Sequence, residues 1–417
     1  MAFEKESNPL KQLFQDEFSK MVSVISKYYG LQYIETAEDI VSETFLQAAE
    51  DWGVKGMPQN PAAWLYAVAK QKTLYYFRRN KIFEDKVIPE ITSVRGNEDT
   101  YSEPDFSEQN IKDSQLQMLF AICHPGIASE AQIGLALRIL CGFGIDEIAE
   151  AFLVGKETIN KRLFRAKEKL RKEKVTMISI TSGILSETEI ATRLDNVLRI
   201  IYLLFNEGYY SVTQNQILRK ELCLEAMRLG IMLTEYEITN QPQTNALMAL
   251  MCFHASRFEA RQTPKNGFIL YEEQDEDLWD TSLIDRGVYF LNGSAQGVEI
   301  SSYHLEARIA FWHCIKEDTR EKWENILETY NLLLQVNHSP SASLNRIYAL
   351  YKLKGAREAI AEAEKLKLEN NHFYYILLSE LYKGENREKA KEHLQKVYDL
   401  AKTQTEKQDI QNKIERF

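Results

Sequence analysis

Apolar residues recur every three or four positions along most of this chain, which is the spacing of an amphipathic α-helix. Two such series lie on either side of Val154-Gly155: Ile145, Ile148, Ala149 and Phe152, and then Ile159, Leu163, Ala166 and Leu170. They predict two helices joined by a tight turn that Gly155 supplies. Runs that alternate in the manner of β-strands are hard to find, so we expect an all-α fold.

The polar face of the second predicted helix is strongly basic. Residues 156–174 hold nine Lys or Arg against three Glu. A helix that packs through one face and presents cations on the other fits the major groove of DNA and its phosphates. An ordinary basic surface helix is the alternative, but the turn and the preceding apolar helix favour a DNA-binding helix-turn-helix.

Breaks in the apolar pattern divide the chain into five segments. Residues 1–82 form a compact helical unit that ends in a run of cations. Residues 83–112 are an acidic linker interrupted by Pro and Gly. Residues 113–176 contain the helix-turn-helix, residues 177–300 form a helical extension domain, and residues 301–417 are helical repeats.

The repeats follow a pattern of apolar helix, glycine turn and Ala-rich helix. The turn at Leu353-Lys354-Gly355 corresponds to the turn at Tyr382-Lys383-Gly384. A period of roughly 30 to 37 residues is typical of stacked tetratricopeptide-type (TPR-like) repeats. Because the concave surfaces of such stacks suit peptides and proteins, we expect a protein or peptide partner on these C-terminal repeats.

Composition and charge narrow the class of protein. The net charge of −10 is unusual for a DNA-binding protein, but local basic patches decide phosphate binding because distant charges are screened. The five cysteines form no CxxC pattern, which predicts buried thiols in a reducing cytoplasm rather than disulfides or a zinc site. There is no signal peptide and no apolar run of membrane-spanning length, so we expect a cytoplasmic protein without membrane contact.

The sequence contains no recognisable catalytic constellation. His304, Glu306 and His313 come nearest to a metal cluster, but His304 and Glu306 are two positions apart and point away from each other on a helix. The string from Phe205 to Tyr209 is predicted to be a helix end with local hydrogen bonds. We therefore expect no enzyme activity, no metal and no cofactor.

Four motifs in this order resemble the extracytoplasmic-function (ECF) group of bacterial sigma factors. Residues 37–48 resemble sigma region 2.2, residues 61–70 with the following Arg78-Arg79 resemble regions 2.3 and 2.4, and residues 133–172 resemble region 4. Residues 202–209 resemble a subgroup with a long helical, TPR-like C-terminal extension. The resemblance spans nearly the whole chain and implies sigma region 2 in residues 1–82 and sigma region 4 in residues 113–176.

This resemblance implies two partners, core RNA polymerase and promoter DNA. The polymerase would be bound through its β′ clamp helices and β flap, with acidic contacts from Glu38, Asp39 and Glu43. Acids at a helix N-terminus also have a purely structural explanation, because they favour the helix dipole. The acidic linker would thread through the polymerase near the path of the nascent RNA.

DNA contacts are implied in both predicted domains. The −10 element would be held by Gln59, Asn60, Lys70, Lys72, Arg78 and Arg79. The −35 element would be read at base edges by Asn160, Lys161, Arg162 and Arg165. Its phosphates would be held by Lys167, Lys169, Arg171 and Lys172.

Three functions are compatible with these patterns. The first is an ECF-type sigma factor, regulated by its C-terminal extension, that makes or breaks no bond itself. The second is a helix-turn-helix regulator that binds duplex DNA without polymerase. The third is a repeat scaffold whose N-terminal half has lost promoter activity.

Overall fold

The computed structural model shows an all-α protein divided into two compact units, Met1–Gln241 and Pro242–Phe417. The structure describes residues 9–79, 103–179, 186–209, 216–261, 269, 271–297, 299–401 and 404–415. Within these residues there is no β-strand, which confirms the predicted fold class. The division between the units falls inside the predicted extension domain, residues 177–300.

The first unit begins with three helices that pack around an aromatic and aliphatic core. They are α1 (Pro9–Tyr29), α2 (Ile34–Lys55) and α3 (Pro61–Arg79). Phe18, Val22 and Ile25 of α1 are almost completely buried. Tyr29 stacks on Phe77 of α3 with the ring centroids 3.9 Å apart, which ties the ends of α1 and α3 together.

Four helices follow the predicted acidic linker. They are α4 (Glu108–Ile122), α5 (Ser129–Leu135), α6 (Ile145–Ala151) and α7 (Lys156–Lys172). A π-helix, Ala136–Leu140, continues α5 without a break. Helices α6 and α7 lie where the two apolar series predicted them.

The sequence predicts that glycine makes the turn between α6 and α7, and this prediction is wrong. Gly155 has an ordinary φ of −70°, whereas Leu153 adopts a left-handed φ of 51°. The amides of Leu153 and Val154 donate to the carbonyl oxygens of Glu150 and Ala149, respectively. This bond pair closes a Schellman motif, which stabilises the left-handed residue although it carries a side chain.

Two further helices, α8 (Glu187–Tyr209) and α9 (Gln216–Thr234), approach each other closely at Gly208. A Cβ atom at this position would lie 2.5 Å from the carbonyl oxygen of Arg219 and 2.7 Å from Cys223 Sγ. The buried Arg219 guanidinium donates to the carbonyl oxygens of Gly208 and Tyr209, each at 3.2 Å. The Arg219 side chain thus binds the main chain in the last described turn of α8.

Helices α8 and α9 also pack against α5 and the π-helix that continues it. Arg199 Nη1 of α8 lies 2.6 Å from Ser129 Oγ of α5. Arg228 Nη2 of α9 donates to the carbonyl oxygen of Leu140 at 2.6 Å, where the π-helix ends. The first part of the extension is therefore built into the first unit.

The second unit consists of helices that pack mainly on their neighbours in sequence. They are α10 (Pro242–Ala255), α11 (Thr281–Ser294), α12 (Ser302–Trp312), α13 (Arg320–Val336), α14 (Pro340–Lys354), α15 (Ala356–Leu366), α16 (His372–Tyr382), α17 (Arg387–Leu400) and α18 (Gln404–Glu415). Gly355 separates α14 from α15 with a φ of 90°, at a predicted glycine turn. Asn386 caps α17 by accepting a hydrogen bond from the amide of Lys389 at 3.1 Å.

All five cysteines are free thiols, as the sequence predicted. Four are buried and Cys314 is half-buried. Burial raises the pKa values of the Cys123 and Cys141 thiols, so both stay protonated at neutral pH. Among the described helices, none is both long enough and apolar enough to cross a membrane.

The close approach of α8 and α9 leads to a test of packing. We expect Gly208→Ala to lower the free energy of unfolding by about 1–3 kcal/mol, because the added methyl group would overlap α9. Gly53→Ala in α2 is the matched control, since nothing lies within 4 Å of a Cβ there. Urea unfolding followed by circular dichroism measures both variants, and equal stability of the two would contradict the packing at Gly208.

Candidate nucleic-acid interface

Helix α7 packs through the apolar face that the sequence predicted. Ile159, Leu163, Ala166 and Leu170 are each at most 4% exposed. The charged residues are consequently confined to the remaining surface of the helix. Some of these charged residues face solvent, and others face another part of the first unit.

The first half of α7 presents an exposed polar and aromatic face. Asn160, Lys161, Phe164 and Arg165 are all exposed, and residues three or four apart share one face of a helix. Arg162 is half-buried and lies 3.5 Å from Glu130 of α5. Donors on Asn, Lys and Arg suit the base edges of the major groove.

Phe164 is a candidate contact that the sequence reasoning missed. Its side chain is 57% exposed, and it shares a face of the helix with Asn160 and Lys161, four and three positions earlier. The available signal was an aromatic residue outside the apolar series of Ile159, Leu163 and Ala166. An exposed phenyl ring can contact the methyl group of thymine, which makes Phe164 a candidate for apolar recognition on this face.

The second half of α7 is turned toward α2. Lys167 Nζ binds Glu38 Oε2, and Arg171 Nη2 lies 2.9 Å from Glu35 Oε2. Lys169 instead forms an exposed ion pair with Glu173 at 3.2 Å. In this arrangement two of the predicted phosphate contacts, Lys167 and Arg171, are therefore engaged by α2.

Glu38 is the buried centre of this contact, with only 6% of its surface exposed. Arg138 Nε donates to Glu38 Oε1 at 3.0 Å, and Lys167 donates to the other carboxylate oxygen. Arg138 is itself held by the carbonyl oxygen of Phe143 at 3.2 Å and by the ring of Phe18 beneath its guanidinium. A carboxylate removed from water in this way depends on both cations.

The other predicted polymerase contacts stay on the surface of α2. Asp39 and Glu43 are exposed. Partial burial and the negative charges of Glu38 and Glu43 raise the pKa of Asp39. Glu43 lies 3.7 Å from Lys72 of α3. The structure thus separates the predicted acidic triad into two accessible carboxylates and one that α7 covers.

The loop before α3 carries the predicted −10 contacts Gln59 and Asn60. Both residues are exposed. Asn60 Oδ1 accepts a hydrogen bond from the amide of Ala63 at 3.0 Å, so this side chain also caps α3. Met57 in the same loop is 47% exposed. The loop therefore places polar and apolar side chains together at the start of α3.

Helix α3 presents cations beside an exposed aromatic ring. Lys70 lies 2.5 Å from Glu103, and Lys72 faces Glu43. The side chains of Arg78 and Arg79 lie outside the described part of the structure. Tyr75, which the sequence reasoning missed, is 64% exposed and is located one helical turn after Lys72. A ring among cations is a stacking platform for a single-stranded base.

The chain that enters α4 lies against α3. Glu103 binds Lys70, and Phe106 stacks on Tyr66 with the ring centroids 4.9 Å apart. The Tyr66 hydroxyl donates in turn to Glu17 of α1. The Glu103 carboxylate is thus paired with Lys70, which was predicted to contact the −10 element.

Comparisons with known proteins place these helices in a family. Residues 13–82 match sigma-70 region 2, and residues 193–295 match a family of unknown function, DUF6596. RNA polymerase sigma factor YlaC of Bacillus subtilis strain 168 is 22% identical over 170 residues, which cover 40% of this chain and 93% of that protein. An uncharacterised protein of Rhizobium meliloti strain 1021 is 30% identical over 350 residues, which cover 82% of this chain and 80% of that protein. No solved structure matches.

The sigma-70 match covers α1, α2 and α3 almost completely. These helices hold the acidic residues, the exposed loop and the cations described above. The chain therefore carries a sigma-70 region 2 domain, which together with the similarity to YlaC supports a place in the sigma-70 family, and it belongs to one family with the uncharacterised protein of Rhizobium meliloti.

Proposed function

We propose that this protein is an ECF-type sigma factor that binds core RNA polymerase, recognises −10 and −35 promoter elements and directs transcription initiation. The observation that carries this proposal is the presence, in one compact unit, of sigma-70 region 2 helices and an exposed polar and aromatic face on α7. We refer to this face, formed by Asn160, Lys161, Phe164 and Arg165, as the base-reading face because we propose that it contacts base edges. The similarity to a sigma factor of Bacillus subtilis supports it further.

Each surface has a role in this proposal. The acids of α2 dock on the Arg-rich clamp helices of the polymerase. The loop at Gln59 and Asn60 takes an extruded base of the −10 element, while Lys72 and Tyr75 hold the separated strand by charge and stacking. The face formed by Asn160, Lys161, Phe164 and Arg165 reads the −35 element.

Promoter geometry requires the first unit to open. The two elements lie about 25 base pairs apart, which is roughly 85 Å along the duplex at 3.4 Å per base pair. In the structure α7 touches α2 through Lys167 and Glu38. We infer that this is a closed form and that polymerase binding breaks the contact. An Arg-rich clamp surface replaces Lys167 and Arg138 as the counter-charge of Glu38.

A contact between the extension and the π-helix supports regulation of this opening by the extension. Arg228 of α9 binds the carbonyl oxygen of Leu140, two positions after Arg138 in the same π-helix. A shift of α9 would consequently displace Arg138 from Glu38. We propose that the extension tunes initiation in this way, with a protein or peptide partner on the C-terminal repeats supplying the signal.

A DNA-binding regulator that works without polymerase is the second candidate. It is favoured by one observation, namely that the base-reading face of α7 is exposed while Glu38 is buried. Duplex binding at physiological salt distinguishes the two. Specific nanomolar binding without polymerase would favour the regulator, and a requirement for core polymerase would favour the sigma factor.

Replacing Arg165 by Ala tests the base-reading face. Loss of one bidentate base contact costs about 1–3 kcal/mol, so we expect about 5- to 150-fold less run-off transcript from a cognate promoter. The assay uses full-length protein, core polymerase and promoters selected from genomic fragments. Arg320→Ala is the matched control, because Arg320 is an exposed helical arginine of the second unit paired with Glu324.

Two results would contradict the proposal in different places. An unchanged transcript level with Arg165→Ala would remove that residue from promoter recognition. The absence of promoter-specific transcripts from the unsubstituted protein, with core polymerase active on a control factor, would count against the sigma function itself.

Replacing Lys167 by Met tests the closed contact. We expect the free energy of unfolding to fall by about 3–5 kcal/mol, because the buried Glu38 carboxylate loses one of its two cations. Lys169→Met is the matched control, since Lys169 forms an exposed ion pair whose loss costs at most about 1 kcal/mol. Adding Glu38→Gln to Lys167→Met should recover part of the loss. Additive losses in a double-mutant cycle would show that the two side chains do not interact.

A further inference from the structure

Three cations surround one tyrosine ring in the second unit. The ring centroid of Tyr271 lies 5.6 Å from Arg257 Cζ, 5.9 Å from Lys316 Nζ and 5.1 Å from Lys322 Nζ. Arg257 follows α10, while Lys316 and Lys322 lie on either side of the start of α13. We refer to Arg257, Lys316 and Lys322 as the Tyr271 cation cluster.

The cluster is largely shielded from water. Arg257 is 6% exposed and Lys322 is completely buried. Cations this close repel one another, and burial adds the cost of lost hydration. The centroid of the His313 ring lies 5.0 Å from that of Tyr271, so this ring is also close to the positive charges of the cluster. Burial and then the charges of Arg257 and Lys322 lower the pKa of His313 to about 3.

The described residues provide no ion-pairing carboxylate for the cluster. Within them, no carboxylate oxygen lies within 4.0 Å of a side-chain nitrogen of these three cations. The neighbouring acids Glu272 and Asp318 bind Lys352, at 3.0 Å and 3.1 Å, and Asp318 attracts Lys322 only from beyond ion-pair distance. Lys316 and Lys322 donate to the main-chain oxygens of Gln274 and Ile315, which carry no full negative charge.

Hydrogen-bond acceptors are missing at the same place. The donors Arg257 Nε and Trp279 Nε1 are buried and have no partner among the described residues, and neither have His313 Nδ1 and the acceptor Gln274 Oε1. The Trp279 ring lies 6.3 Å from the Tyr271 ring, and Lys316 Nζ lies 5.7 Å from the Trp279 ring. Arginine and tryptophan nitrogens can only donate, so these atoms require an acceptor that the described residues do not supply.

We propose that the Tyr271 cation cluster binds a small oxyanion, namely a phosphate or carboxylate group. Its oxygens accept from Arg257 Nε and Trp279 Nε1, and its charge offsets those of Lys316 and Lys322. Water would supply acceptors but would leave the repulsion between the cations in place. The site lies in the second unit and does not depend on the sigma function. The proposal therefore gives the second unit a ligand-binding role.

Thermal unfolding of the full-length protein tests the site with two probes, inorganic phosphate and acetate, each compared with sodium chloride at equal ionic strength. We expect a saturable rise in unfolding temperature with at least one probe, because a ligand that binds the folded state stabilises it. A response to phosphate alone assigns a phosphoryl ligand, and a response to acetate alone assigns a carboxylate.

Variants distinguish this site from general anion binding. Arg257→Gln should abolish the response, and Lys316→Met should weaken binding at least tenfold in isothermal titration. The half-buried Lys316 provides a second test if Arg257→Gln does not fold. Arg320→Gln, at an exposed arginine of the same unit, should respond like the unsubstituted protein. The proposal is overturned by no saturable response to either probe, or by an equal response in Lys316→Met.

Discussion

One buried carboxylate organises the first unit. Glu38 receives its counter-charges from Arg138 and Lys167, which lie 100 and 129 residues away in the sequence. Since a buried charge without partners is costly, α2, the π-helix and α7 must stay together while Glu38 is shielded from water. The orientation of α7 follows from this contact, because its second half is held at α2 and its first half is left exposed.

The same contact connects the three functional parts of the chain. Glu38 belongs to the helices that match sigma-70 region 2, while Lys167 belongs to the helix proposed to read DNA. Arg138 lies next to the point where Arg228 of the extension binds the main chain. Under the proposed function, competition for the charge of Glu38 is therefore the physical means by which polymerase, promoter and extension would influence one another.

Helix positions and the apolar face of α7 could be predicted because they depend on local spacing. The different surroundings of Lys161 and Lys167 could not be predicted, because both are lysines on the polar face. Only the contact of Lys167 with the distant Glu38 distinguishes them. The bend at Leu153 was assigned to Gly155 because glycine is the usual signal for such a turn. Two main-chain hydrogen bonds stabilise the left-handed Leu153 instead. Main-chain bonds of this kind do not require a particular residue type, so the sequence does not indicate them.

The most direct test is the distance between spin labels on α2 and just after α7, at the exposed residues Ala49 and Lys174. It is measured in the free full-length protein and in its complex with core polymerase and promoter DNA. We expect a short distance in the free protein and an increase of several tens of ångströms in the complex, given a separation of roughly 85 Å between promoter elements. An unchanged distance in a complex that initiates transcription would contradict a closed form that opens on the polymerase.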